Sequence, residues 1–212
     1  MIAIIDYGVG NLFSLSCSLK AVGADVIVTG DKDIIEKADK LILPGVGAFR
    51  DAADKLFSSG LAEVVIEQAN KGKPLMGICL GMQMLFEKSY EYGEYDGLGL
   101  LKGSVVGMDG RIPAELNIPH IGWNALNFKK NSLLFKYINE GDCVYFVHSY
   151  YACDCDESVT ATAEYGAEIT ACVEKENIFG CQFHPEKSGD VGLKILKAFC
   201  EMGGQNEYFS CH

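Results

Sequence analysis

Cations are scarce in this chain of 212 residues: 18 lysines and arginines stand against 29 acids, for a net charge of −11. Phosphate backbones are held by clustered Lys and Arg, so this balance argues against a nucleic-acid partner. Long apolar runs are missing too, none approaching about 18 residues, which leaves no candidate for a membrane span. The start, Met1-Ile2-Ala3-Ile4-Ile5-Asp6, has no basic segment ahead of its apolar residues and does not read as a secretory signal. No repeat, low-complexity tract or linker of Pro, Gly and Ser divides the chain. The expectation is therefore one domain over residues 1–204, with residues 205–212 as a flexible tail. A dinucleotide loop is also lacking, because Gly8-x-Gly10 has no third glycine. No cofactor is expected.

Cysteine, by contrast, is plentiful. There are nine, an odd number without regular spacing or an export signal, and thiols in a cytoplasmic chain of this kind stay reduced. Cys153-Asp154-Cys155 has no second Cys or His pair at ligand spacing, so no metal is expected. With 49% apolar and 22% charged residues the chain reads as globular, and the question is which thiol differs from the rest.

The first half alternates short apolar strands with helical stretches. Met1–Asp6, Asp25–Thr29, Lys40–Leu43 and Pro74–Ile78 read as strands. Helices are expected through Val22, over Ala48–Ser59 and Leu61–Lys71, and over Met82–Glu87. After about Gly97 the pattern becomes β-rich: Leu98–Met108, Ile121–Phe128, Cys143–Tyr151, Val159–Glu164, Ile169–Glu174 and Ile178–Phe183, closed by a helix over Val191–Met202. The fold class is α/β, a mainly parallel central sheet flanked by helices with an antiparallel β-rich second half. In such sheets the reactive site lies beyond the carboxyl ends of the strands, which directs attention to the strand-to-helix turns.

One turn stands out. Gly77-Ile78-Cys79-Leu80-Gly81 is the cysteine counterpart of the Gly-x-Ser-x-Gly nucleophile elbow. A sharp turn there strains the nucleophile's backbone, and side chains two residues to either side would collide with neighbouring segments. The Leu80 amide then points where an oxyanion would form, and the helix terminus would favour the thiolate. Taken alone, the motif fits a small buried cysteine at a tight turn equally well. A base is offered by His184 in Phe183-His184-Pro185-Glu186, where an extended segment would turn Glu186 toward the imidazole. His148 is the rival base but lacks a nearby acid, and it is read as lining the site or an interface. His120 reads as structural or interfacial, and His212 as terminal and disordered. Cys79 with His184 and Glu186 shifts the reading to catalysis.

These residues resemble the class I (triad) glutamine amidotransferases over essentially the whole chain. Five segments narrow the likeness to the branch serving histidine biosynthesis: 6–11 (DYGVGN), 44–49 (PGVGAF), 77–83 (GICLGMQ), 119–124 (PHIGWN) and 182–188 (QFHPEKS). The resemblance implies hydrolysis of L-glutamine through a thioester on Cys79, with His184 protonating the ammonia and Glu186 orienting His184. It implies an oxyanion hole from Leu80 and the Gly45, Val46, Gly47 segment, and substrate contacts from Gln83, Glu91, Ser149 and Tyr150. It also implies a heterodimer with a (β/α)8-barrel cyclase that receives the ammonia, since the chain has no room for a second catalytic domain. Docking candidates are Asn11, Trp123, Tyr145, His148 and Lys187. Glutaminase activity would be weak until the partner binds its own substrate, with a peptide flip in Gly45-Val46-Gly47 supplying the oxyanion donor. Alternatives are the glutaminase of a different ammonia-using synthase, or a cysteine peptidase on a related fold. An inactive binding module would lack one of Cys79, His184 and Glu186, and all are present.

Overall fold

The computed structural model describes residues 1–203; the expected tail, with Cys211 and His212, lies outside them. The first strands are β1 (Ile2–Ile5), β2 (Val26–Thr29), β3 (Lys40–Leu43) and β4 (Leu75–Ile78). They are linked by α1 (Leu12–Ala21), α2 (Lys32–Lys37), α3 (Phe49–Ser58) and α4 (Leu61–Asn70). Each of β1 and β4 is wholly buried, as parallel strands covered on both faces must be.

Period-two alternation sends the side chains to two different cores. Ile2 and Ile4 join Ile42, Met76 and Ile78 on one face, against α1. Ala3 and Ile5 join Leu41, Leu43 and Leu75 on the other, against α2, α3 and α4. Burying each such large aliphatic chain contributes about 1.5–3 kcal/mol, so the sheet's centre is also its most tightly held part.

The chain then forms α5 (Leu80–Gln83), β5 (Phe86–Ser89), β6 (Tyr95–Asp96), β7 (Leu101–Gly107), β8 (His120–Ala125) and β9 (Asn127–Phe128). The remaining strands are β10 (Cys143–His148), β11 (Tyr150–Cys153), β12 (Val159–Glu164), β13 (Glu168–Lys175) and β14 (Ile178–Cys181), followed by α6 (Gly189–Glu201). The described residues make one α/β unit whose large mixed sheet has the order β2-β1-β3-β4-β14-β13-β12-β9. It is parallel from β2 to β14 and antiparallel beyond. A smaller sheet, β11-β7-β5-β6, and a β10-β8 ribbon complete it. The placement of β14 matters most: it enters late in the chain yet lies parallel beside β4, with Cys181 opposite Ile78.

The expected elements hold in outline and shift in detail. Met82–Glu87 is not a helix: α5 is a single turn, and Phe86 already belongs to β5. The strand expected over Cys143–Tyr151 breaks at Ser149 into β10 and β11, which pair with different partners. Ile121–Phe128 likewise divides into β8 and β9. α2 is an addition, capped by Asp31, whose Oδ1 accepts from the amides of Asp33 and Ile34.

Candidate active site

β4 ends on Ile78, and the next residue carries the strain that the motif implies. Cys79 has φ 55° and ψ −114°, a left-handed backbone that costs a non-glycine residue of order 1–3 kcal/mol. Its neighbours show why glycine flanks it. A Cβ on Gly77 would meet the Met82 Cα at 2.6 Å, and one on Gly81 would meet the Leu43 carbonyl oxygen at 1.9 Å. Gly45 makes the reciprocal approach, its Cβ position 2.7 Å from the Gly81 amide nitrogen. The elbow and the Pro44–Gly47 segment are therefore in backbone contact. Tyr7 props the same segment, its buried hydroxyl donating to the Pro44 carbonyl at 2.6 Å, and burial together with the Cys79 charge pushes its ionisation up. One turn of helix aligns few peptide dipoles, so the expected helix-terminus effect at Cys79 is slight. What α5 does provide is the Leu80 amide, which as its first donor has no intrahelical acceptor.

The candidate base follows the adjacent strand. The Cys79 amide donates to the Cys181 carbonyl at 2.8 Å, so β4 and β14 stay in step to their last residues. Three residues beyond Cys181, the His184 Nδ1 lies 2.8 Å from the Glu186 Oε1, with the two side chains 4% and 3% exposed. The reach is made differently from the extended geometry expected. Pro185–Lys187 forms a 3₁₀ turn, closed by the Lys187 amide on the His184 carbonyl, and folds Glu186 back under the ring. Burial alone would depress the imidazole. Hydrogen bonding with Cys79 and Glu186, and the charges of both, outweigh it and raise His184 to about 9. Among the described residues the buried Glu186 Oε2 has no hydrogen-bond partner.

These groups open on a cleft of about 460 Å³ whose walls include Val46, Gly47, Cys79, Leu80, Gln83, Glu91, Ser149, Tyr150 and His184. Of the expected oxyanion and substrate residues, only Gly45 does not line it; it lies one residue behind, against the elbow. Gln83 is buried, with its Nε2 donating to the Tyr150 carbonyl and to the Gln182 Oε1, both at 3.0 Å. The Glu91 Oε2 accepts from the Phe49 amide at 2.7 Å and caps α3, whose own cap residue, Ala48, offers no side-chain bond. Burial raises the Glu91 carboxyl, and that hydrogen bond opposes the rise. Tyr92, not anticipated, stands at the rim, 88% exposed, edge-on to Tyr150.

The docking candidates divide. Trp123 and Tyr145 sit opposite each other on the β8-β10 ribbon, ring centroids 6.1 Å apart, with the Lys187 ammonium over the Tyr145 ring. Asn11 caps α1. His148 is different: it lines the cleft, as one of its two expected placements had it, and at 6% exposure it has little surface to give a partner. Ser188, given no role from sequence, joins ribbon and base. Its hydroxyl donates to the His184 carbonyl and accepts from the Tyr145 amide, while the His184 amide donates to the Tyr145 carbonyl. Among the described residues no trio of His, Cys, Asp or Glu is gathered to hold a metal, and no helix is long and apolar enough to cross a membrane.

Comparison with known proteins bears on this geometry. The family described as glutamine amidotransferase class-I matches residues 3–202. The imidazole glycerol phosphate synthase subunit HisH of Caldanaerobacter subterraneus subsp. tengcongensis is 54% identical over 203 residues, covering 95% of this chain and 98% of the relative. The protein of that name from Aquifex aeolicus is 51% identical, covering 92% and 94%. Among solved structures, one described as a glutamine amidotransferase aligns with TM-score 0.73 at 20% identity, over 94% of this chain and 99% of the other. PurLQS from Thermotoga maritima aligns with TM-score 0.70 at 21% identity, over 93% and 96%. Those two likenesses speak to the fold.

Proposed function

Since the chain belongs to the class I glutamine amidotransferases, we propose that it is the glutaminase subunit of an imidazole glycerol phosphate synthase. The observation that carries the chemistry is a strained thiol at an elbow facing a buried His184–Glu186 pair across one cleft. The observation that carries the pathway is identity of about half over nearly the full length of subunits bearing that name.

The reaction follows from the placement of protons. With its pKa raised to about 9, His184 holds a second proton at neutral pH and faces the Cys79 sulfur as a donor. The Cys79 sulfur attacks the carboxamide carbon of glutamine, and the C–S bond forms as the carbonyl electrons move to oxygen. The Leu80 amide and the Gly45–Gly47 segment receive that oxyanion; one such donor is worth about 10²–10³ in rate. As the intermediate collapses the C–N bond breaks, and the proton on His184 goes to the departing ammonia. A water molecule, deprotonated by the now neutral His184, attacks the thioester and releases glutamate and the thiolate. Glu186 holds the ring in the tautomer that presents Nε2 to the reaction and offsets its charge. Gln83, Glu91, Ser149 and Tyr150 surround the substrate's amino-acid end, Glu91 supplying the charge for its ammonium.

Ammonia then passes to a cyclase partner with a (β/α)8 barrel, docked on the Trp123, Tyr145, Lys187 and Asn11 face. Activity depends on that partner through the segment behind the elbow. Gly45 is pinned against Gly81, whereas Gly47 has φ +91° and Val46 is 42% exposed, so the freedom to turn a peptide lies at Val46–Gly47. Cys79→Ala in the complex should abolish glutamine-dependent synthesis and leave synthesis from ammonium salts intact. Loss of both would remove Cys79 from the role.

A further inference from the structure

We propose that Gln182 is a catalytic residue, its side-chain amide donating a hydrogen bond to the Cys79 sulfur, and that Gln83 positions it by fixing which end of that amide faces the thiol. The proposal rests on the reading of Cys79 as nucleophile. It concerns a side chain that the triad does not include.

The geometry carries a direction. A backbone carbonyl only accepts, so the Tyr150 oxygen requires a donor from Gln83, and the Gln83 Nε2 is found there at 3.0 Å. The second N–H of that amide donates to the Gln182 Oε1, also at 3.0 Å. With its oxygen so engaged, the Gln182 amide has only nitrogen left for the other side, and the Nε2 lies 3.8 Å from the Cys79 Sγ. Reversing Gln83 would set its oxygen against the Tyr150 carbonyl and the Gln182 oxygen, and reversing Gln182 would set two N–H donors against each other. The Tyr150 carbonyl is itself held from behind, by the His148 Nδ1 at 2.8 Å. That ring's Nε2 faces the His120 Nδ1 at 3.2 Å, and the Asn124 amide nitrogen lies 3.5 Å from the His120 Nε2. Burial keeps His148 neutral, with one donor and one acceptor nitrogen, so the order of donors runs one way through both rings.

Gln182 is fully buried and Gln83 nearly so. A neutral thiol is a poor acceptor, while a hydrogen bond to a charged group is roughly twice as strong, so this donor favours the thiolate over the thiol. It also complements His184, which gives its proton away to ammonia. Gln182 cannot do so and remains a donor when the thiolate is regenerated from the thioester. The titratable groups that face the sulfur are His184 with Glu186 behind it, Tyr7 and Cys181.

The test follows alkylation of Cys79 by iodoacetamide in the full chain without glutamine, read on its own peptide by mass spectrometry. Wild type, Gln182→Met and Gln83→Met are compared at pH 7 and pH 10. Gln182→Met is expected to slow the reaction about tenfold at pH 7, the effect of one charged hydrogen bond, and less than about twofold at pH 10, above the ordinary range of a thiol. Gln83→Met should show the same pattern more weakly. An unchanged rate at pH 7, or an equal loss at both pH values as a packing defect would give, overturns the proposal. Should Gln182→Met fail to fold by circular dichroism, the same outcomes in Gln83→Met decide. If wild-type Cys79 reacts at pH 7 no faster than the exposed Cys143, the nucleophile assignment itself falls, and the role of Gln182 with it.

Discussion

His148 shows how much one buried ring settles. Burial, with the charges of His120 and His184, holds it down to about 3 against the hydrogen bond to the Tyr150 carbonyl that favours its charged form. In the unfolded chain the same imidazole takes a proton at about pH 6.5. The stability it contributes is therefore complete above pH 6.5 and lost as pH falls toward 3, at up to about 1.4 kcal/mol per pH unit. His148→Gln does not titrate. In urea unfolding it should reduce the stability lost between pH 7 and pH 5.5 by about 1 kcal/mol relative to wild type. An unaltered slope would mean that the ring is not buried neutral. That Cys79 sits at a strained elbow and His184 pairs with Glu186 was legible in the sequence at this scale, because an elbow needs glycines at fixed offsets and His-Pro-Glu keeps imidazole and carboxylate within two residues. The amide chain was not. Gln83 and Gln182 meet across 99 positions, and no local pattern marks two glutamines that will share a proton.

Elements explain why the elbow tolerates so little. The Gly81 Cα faces the Leu43 carbonyl at the end of β3, so two strands and the nucleophile turn share one point of backbone contact. Gly81→Ala must part them, at a cost of about 1–3 kcal/mol as for other overpacked sites, and must shift Gly45–Gly47 from Leu80. The expected outcome is a lower midpoint in thermal denaturation together with a fall in glutamine turnover of at least tenfold. Turnover kept at the wild-type level would sink the link between the contact and the proposed role of Gly45–Gly47. The parallel core was readable because β1, β3 and β4 are short apolar runs with turns on both sides. β5 was not, since its sequence, Phe-Glu-Lys-Ser, becomes a strand only through β6 and β7 on either side. Nor was α2, six residues long with only Ile35 buried.

For the whole molecule, the exposed aromatic face is the feature that the chain's own core does not use. Trp123 is 57% exposed and stands edge-on to Tyr145, over whose ring the Lys187 ammonium lies, and Phe13, two residues past the α1 cap Asn11, is 80% exposed. Trp123→Ala is expected to leave urea stability of the isolated chain within about 0.5 kcal/mol. It should weaken the cyclase-dependent stimulation of glutamine hydrolysis at least tenfold in the partner concentration required, as loss of an interface anchor does. Equal stimulation at equal partner concentration would move the docking face elsewhere.

The pairing of β4 with β14 also sets a timetable. Cys79 and His184 are brought together by neighbouring strands whose residues lie about a hundred positions apart, and such non-local contacts close late in folding. Every strand of the large sheet except β14 is already made when the ribosome reaches Ile178. Until that strand inserts between β4 and β13, the growing chain carries a thiol at a half-built turn, without imidazole, Glu186 or Gln182. A nascent or partly unfolded copy therefore spends no glutamine, and the ability to hydrolyse it appears in the same step that completes the sheet.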